Sequence, residues 1–281
     1  MSDLRELKSR LASIKQTGKI TNAMYLLSSS RLRKCLGPAQ SSAEYDRALS
    51  GLMNRIASCC GKTQAALPYS EAKGGKPLVI AVMGDRGLCG DYNSSVAGKC
   101  AEYLKNNDNS VLWSAGTASC AALAKHCYAP SRVFEGFSTR PSSDDAANIA
   151  SLLTEGFSAG EYCSVDFVYT PYKNGGSASV VRRLLPVGAN ADNGPEEQSE
   201  MIFEPSHEAV LKKITEQYIL SSVLTILLSA AATENSARLT AMRSATDNAD
   251  GMIKELESLI NTLRQEQITS ELTELAAAQI D

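Results

Sequence analysis

The last quarter of the chain is nearly free of helix breakers. Residues 206–281 hold no proline and one glycine, Gly251. A typical globular helix runs about 11–12 residues, so this run predicts a coiled coil or a helical array. At about 1.5 Å per residue it would reach roughly 110 Å if unbroken. Ser206 follows Pro205 and is placed to cap its start, and Glu208 suits the positive end of the helix dipole. A helix too long for a globular core needs a partner along its length.

The other end of the chain offers one. Residues 3–36 contain no proline and only Gly18. Leu4, Leu7, Leu11 and Ile14 alternate spacings of three and four, the seam of a coiled coil. The same spacing continues through Gly18, Thr21, Tyr25, Ser28, Leu32, Cys35 and Ala39. The small middle residues allow close approach but stabilise less than leucine. Gly37-Pro38 predicts a kink or a break, because an interior proline costs about 3 kcal/mol. The helical pattern resumes from Ala39 to about Cys60. Charge also favours pairing of the ends. Residues 1–36 carry eight bases against two acids, a net of +6, and residues 206–281 carry six bases against eleven acids, a net of −5.

Between them the pattern changes. Pro77-LVIAVM is a short apolar run ending in glycine, which reads as a buried strand. A helical stretch spans about 94–105, VLWSA (111–115) is a second strand, and 117–127 a second helix. RVFEGF (132–137) suggests a third strand, and 143–158 an amphipathic helix with Asp144 and Asp145 in its first turn. SVDFVYT (164–170) and SVVRRLLPV (179–187) are further strands, and 189–197 a surface loop. Strands alternating with helices predict a Rossmann-like α/β domain with a largely parallel sheet. The expected order is an N-terminal coiled-coil helix (1–60), a central α/β domain (77–190) and a C-terminal coiled-coil helix (206–281). The two end helices pair antiparallel, and the extreme C-terminus forms a free tip.

Composition excludes several functions. Net charge over the 281 residues is −3, so nothing favours nucleic acid or anionic lipid. Asp3 and Glu6 interrupt the place where the apolar core of a signal peptide would fall. The most apolar run, 219–232, includes Ser221, Ser222, Thr225 and Ser229 and is shorter than the ~20 residues of a span, so a buried helix segment is expected. The eight cysteines form no C-x-x-C pair, and there are two histidines, so no zinc site is expected. The thiols read as reduced, small core residues.

The loop Gly84-Asp85-Arg86-Gly87-Leu88-Cys89-Gly90 follows a strand and precedes a helix, where phosphate loops occur. Its glycines fall at every third position, not as G-x-G-x-x-G, and no G-K-[ST] closes it. A structural or subunit-contact role fits better, through glycine backbone freedom and close packing. Cys89 lacks an evident base for a nucleophile's role. Asp85 with Arg86 reads as a local ion pair, and Asp247 with Asp250 as a solvated acidic face. Two alternatives remain open: a small α/β enzyme binding a phosphate at 84–90, and a coiled-coil scaffold of another kind.

Three stretches together resemble one family, the gamma subunits of F-type ATP synthases. They are LKSRLASIKQTGKITNAMYLLSSSRLRK at the N-terminus, VMGDRGLCGDYNSS in the middle, and ENSARLTAMRSATDNADGMIKELE with LRQEQITSELTEL at the C-terminus. Gly84 stands where the family usually has serine, Asp91 where it has a second glycine, and Tyr25 where it has a polar residue. The resemblance implies a non-catalytic central rotor, a left-handed antiparallel coiled coil turning inside a ring of alpha and beta subunits, with no cofactor. It implies that the α/β domain meets the epsilon subunit and the c-ring, one copy per complex, at the cytoplasmic face of a bacterial inner membrane. Carried over by position, Arg264, Gln265 and Thr269 meet the lower part of beta, and Met24 faces the same region. Lys19, Arg31 and Arg33 suit an acidic loop of beta. The cysteine-bearing insertion of the chloroplast branch is not evident, so thiol control is not expected.

Overall fold

The computed structural model describes residues 2–59, 68–107, 109–136, 141–173, 178–187, 204 and 206–278. The loop expected at 189–197 lies outside them. The elements in chain order are α1 (Ser2–Cys59), β1 (Lys76–Val82), α2 (Tyr92–Lys105), β2 (Val111–Ala115), α3 (Ala118–Ala124), β3 (Arg132–Phe134), α4 (Ser143–Ala159), β4 (Tyr162–Tyr169), β5 (Val180–Leu185) and α5 (His207–Ala278). The chain forms two compact units, residues 1–29 with 238–281, and residues 30–237.

The first unit is a pair of helix segments. Along α1 the residues turned from solvent include Leu4, Leu7, Leu11, Ile14, Gly18, Thr21, Tyr25 and Ser28, the seam read from spacing, with Met24 and Ser29 half-buried beside it. On α5 they include Met242, Thr246, Ala249, Ile253, Leu256, Ile260, Leu263 and Gln267, again alternating steps of four and three. Lys15 pairs with Glu257 at 2.6 Å, and Thr246 Oγ1 donates to Thr21 Oγ1 at 2.9 Å. The partner number falls as the α1 number rises, so the segments run antiparallel. A heptad repeat held over this length imposes a left-handed supercoil. At Gly18 a side chain's first carbon would touch the Ala249 methyl at 3.4 Å, so the small seam residues bring the helices close. The Lys15–Glu257 pair is nearly half exposed at both ends, 47% and 46%, so its contribution is at most about 1 kcal/mol.

The expected break at Gly37-Pro38 does not occur. α1 is one helix of 58 residues with Pro38 inside it. Lys34, whose carbonyl loses its partner, is exposed, as are Gly37 and Pro38, so the orphaned group faces the solvent side. The flanking Cys35 and Ala39 are buried against Leu228 and Ala232 of α5, which holds the helix together through the proline.

The second unit is a three-layer α/β domain. Its sheet has the order β3-β2-β1-β4-β5, with every pairing parallel except β4 with β5. Alternation along β1 sorts the core. Leu78, Ile80 and Val82 join Trp113, Val165 and Phe167 on one face, under α4 (Ile149, Leu153, Phe157) and the long helices (Met53, Ile56, Ile219, Val223, Ile226). Val79, Ala81 and Met83 join Leu112 and Val168 on the other, under α2 (Val96, Cys100, Leu104) and Leu123 of α3. Covering both faces explains why the strands read as continuous apolar runs.

The apolar stretch at 219–232 is thereby accounted for. By length and composition α5 could cross a membrane, but 61% of its most apolar window is buried inside the protein. The stretch is the part of α5 that packs on the sheet. Helix ends follow local chemistry. Ser206 Oγ accepts from Ala209 N at 3.3 Å, the expected cap. Ser142 and Asp145 form a reciprocal capping box at α4.

Candidate glycine loop and helix-pair surfaces

The 84–90 loop leaves β1 at the carboxyl end of the parallel strands and is tied down within the sheet unit. Gly84 N donates to Asn93 Oδ1 at 2.9 Å, and Ala118 N donates to the Gly84 carbonyl at 3.1 Å. Asp85 Oδ1 accepts from Thr117 N at 3.2 Å and from Gly136 N at 3.3 Å, and its carbonyl accepts from Thr117 Oγ1 at 2.8 Å. One carboxylate thus joins the loops after β1, β2 and β3. Asn93 Nδ2 donates to Cys89 Sγ at 3.4 Å, and the thiol is directed to the Arg86 carbonyl at 3.8 Å. Arg86, Gly87, Leu88 and Gly90 are exposed. Leu88 takes a left-handed φ of 61° and Gly90 one of 60°. An apolar side chain held outward on such a backbone is an unusual exposure.

Gly84 has a reason the glycine spacing does not reveal. A first side-chain carbon there would lie 2.7 Å from Cδ of Glu234 and 2.8 Å from its Oε1. Glu234, on α5, is 1% exposed. A carboxylate therefore fills the space in front of the first glycine, where a phosphate loop needs room for an anion. The occupied volume opposes phosphate there. No signal in the local motif could have found Glu234, which is distant in sequence.

On the helix pair, Lys19, Arg264, Gln265 and Thr269 are exposed and Met24 is half-buried. In the sheet unit, Arg31 is half-buried and Arg33 exposed. Thr21 faces Thr246, so Met24 lies level with about residue 243, and Arg264 is about 21 residues, roughly 30 Å, further along. Met24 and the Arg264–Thr269 group are thus well separated along the pair. Seam spacing does not reveal the apolar side chains that lie outside the seam. Ile20 (54%), Leu26 (60%) and Leu27 (49%) on α1, and Met252 (51%), Ile268 (46%) and Leu272 (62%) on α5, are all open to solvent.

The cysteines do not all follow the core reading. Cys35, Cys89 and Cys100 are buried, Cys163 is half-buried, and Cys120 and Cys127 are exposed. Burial pushes the Cys100 thiol up to about 12. A thiol-alkylating reagent at pH 8 labels Cys120 and Cys127 of the native chain and leaves Cys100 unmodified until denaturant is added, as peptide mass spectrometry would record. Rapid labelling of Cys100 in the native chain would contradict its burial. Among the described residues no group of three or more His, Cys, Asp or Glu could hold a metal ion.

A heptad-paired couple of terminal helix segments and a mostly parallel α/β sheet thus occur in one chain. A family model described as ATP synthase matches residues 3–279. The chain is 35% identical to the ATP synthase gamma chain of Pelotomaculum thermopropionicum over 98% of this chain and 97% of that one. It is 31% identical to the sodium-ion-specific gamma chain of Acetobacterium woodii, over 97% and 96%. The chain belongs to the ATP synthase gamma chain family. Its fold is also similar to a chain of the Euglena gracilis mitochondrial ATP synthase rotor, with a TM-score of 0.65 at 17% identity, covering 95% of this chain and 99% of that one. A chain of the Tetrahymena thermophila central stalk and c-ring gives 0.64 at 22% identity, covering 80% and 99%.

Proposed function

We propose that this chain is the central rotor stalk of a bacterial ATP synthase and transmits torque between the membrane c-ring and the catalytic alpha/beta ring. It catalyses nothing itself and needs no cofactor. One copy serves each complex, held to the cytoplasmic face of the inner membrane through the c-ring. The observation that carries the reading is the helix pair, which closes its seam and still leaves Ile20, Leu27, Ile268 and Leu272 open. Exposed apolar side chains on an already paired coiled coil call for a surrounding sleeve. A sleeve of alternating subunits meets a different side of the pair at each position. That difference in contact biases each catalytic site toward a different conformation, which is what coupling requires.

Lys19, Arg31 and Arg33 offer positive charge to an acidic loop of beta, Met24 makes a close apolar contact with beta, and Arg264, Gln265 and Thr269 meet it in a separate zone. The 84–90 loop, exposed at Arg86 and Leu88, is a subunit contact and not a nucleotide site. Co-expression with the alpha, beta and epsilon subunits of the same organism tests the assignment. A complex holding one copy of the chain, active in ATP hydrolysis that the chain alone lacks, is expected. A stable monomer that binds none of those subunits would end the reading.

Met24→Lys places a charge at the proposed contact. ATP-driven ion uptake into inverted vesicles falls several-fold further than ATP hydrolysis does. Equal loss of both would show that Met24 is not at a coupling contact.

A further inference from the structure

Within the unit of residues 30–237, most of what joins the long helices to the sheet is apolar. Met53, Ile56, Ile219, Val223 and Ile226 pack against strand residues. Such contacts are non-directional and resist sliding weakly. Tyr172 N, after β4, donates to Ser229 Oγ of α5 at 2.7 Å, and a buried polar cluster adds a charged tie. Arg182, on β5, donates from Nη2 to Asp46 Oδ2 at 2.9 Å and to Ser222 Oγ at 3.0 Å. Ser222 Oγ in turn donates to Asp46 Oδ1 at 2.5 Å. Asp46 lies on α1 and is 6% exposed, and Ser222 lies on α5 and is 0% exposed. A closed triangle of charge-assisted bonds therefore joins the sheet to both long helices. One turn further along, the Ser42 and Thr225 hydroxyls meet at 2.6 Å, and Thr225 also donates to the Ser42 carbonyl at 3.1 Å.

Burial by itself would lower the pKa of the Arg182 guanidinium. The charge of Asp46 and its hydrogen bond oppose this and leave the guanidinium's pKa raised. A buried ion pair adds little net stability over apolar residues of the same shape, and its best-attested use is to fix register. Register between sheet and helices is what a turning load would disturb.

We propose that Asp46, Arg182 and Ser222 form the joint through which turning force passes between the α/β sheet and both long helices. Arg182 is the positioning residue at its centre. This rests on the rotor reading above. Apolar faces under tangential load can slip by small steps. The triangle cannot slip without breaking a charged bond in a buried site. A second pair in the same sheet serves as a control. Asp166, 1% exposed, bonds Arg183 Nε at 2.8 Å and the Tyr103 hydroxyl at 3.1 Å, tying β4 and β5 to α2 instead.

The test uses the complete ATP synthase in inverted membrane vesicles, with ATP-driven charge uptake followed by a potential-sensitive dye. This reads either coupling ion. The variants are Asp46→Asn, Arg182→Lys, the double Asp46→Asn with Arg182→Gln, and the control Asp166→Asn. The double variant leaves no unpaired buried charge. It assembles normally and moves about threefold less charge per ATP hydrolysed, since apolar packing survives and the directional bond does not. Arg182→Lys keeps the charge beside Asp46 and recovers part of the loss. Asp166→Asn leaves the ratio unchanged. If the single variants fail to assemble, the double variant decides. A double variant with the wild-type ratio, or one that cannot assemble, overturns the joint, as does an equal loss in Asp166→Asn. Absence of the unsubstituted chain from the complex would instead refute the rotor reading.

Discussion

Gly116→Ala lowers the stability of the sheet unit by about 3 kcal/mol or more. Gly116 follows β2 and takes a φ of +105°, a backbone conformation that L side chains rarely adopt. An added methyl would collide with the Met83 carbonyl oxygen and would lie 2.7 Å from that of Gly84. Both obstacles are backbone and cannot swing aside. They are also fixed by the ladder that ends here: Met83 N bonds the Ala115 carbonyl at 2.8 Å, Gly116 N the Phe134 carbonyl at 2.7 Å, and Ala118 N the Gly84 carbonyl at 3.1 Å. The change therefore strains β1, β2 and β3 together at the root of the glycine loop. Trp113 is the single tryptophan and is 5% exposed, two positions before the end of β2, so its fluorescence reports this unit. The urea midpoint moves down by about 1.5 M for an m-value near 2 kcal/mol/M. Gly87→Ala is the comparison. A side chain there would meet nothing within 4 Å, and stability changes by about 0.5 kcal/mol or less. Equal effects at the two positions would contradict the crowding described at Gly116.

Phe167→Ala is expected to match or exceed that loss, at about 3–5 kcal/mol. Phe167 is fully buried in β4, opposite Ile80 of β1 and Arg182 of β5. It stands in the core that α4 and the long helices share. Truncation removes a large apolar area and leaves a cavity among residues held by their own elements, so collapse into the space is limited. The same fluorescence transition measures it. A shift equivalent to less than about 1 kcal/mol would mean that the core repacks freely, contrary to the interlocked arrangement.

The two long helices are legible in the sequence because their signals are local. Breaker-free composition and alternating three-and-four spacing depend on neighbours within a turn or two. Each residue of the α1 seam from Leu4 to Ser28 lies on the side turned from solvent. The strand–helix alternation is legible for the same reason, although β3 shrinks to Arg132–Phe134 and α3 to Ala118–Ala124. Pro38 misleads because local propensity assigns a penalty without knowing what lies alongside. Packing of Cys35 and Ala39 on α5 outweighs it, with the lost bond on the exposed side.

Site geometry is less legible. The Gly84 motif predicts a tight turn, but not that a buried carboxylate 150 positions later in the chain rests on it. The family resemblance assigns Met24 and Arg264 to one region of beta, but only the helix register gives their distance along the pair. Exposure of Cys120 depends on which side of a short helix faces the sheet, and Cys127 lies in the turn that follows that helix.

From sequence alone came the elements, their order, the seam and the family likeness, all written in spacings of a few residues. Only the folded structure decided the register of one helix on the other, the burial of Glu234, and the meeting of Asp46, Arg182 and Ser222. Those contacts join positions far apart in the chain, and no periodicity within a single segment encodes which distant partner will be brought within bonding distance.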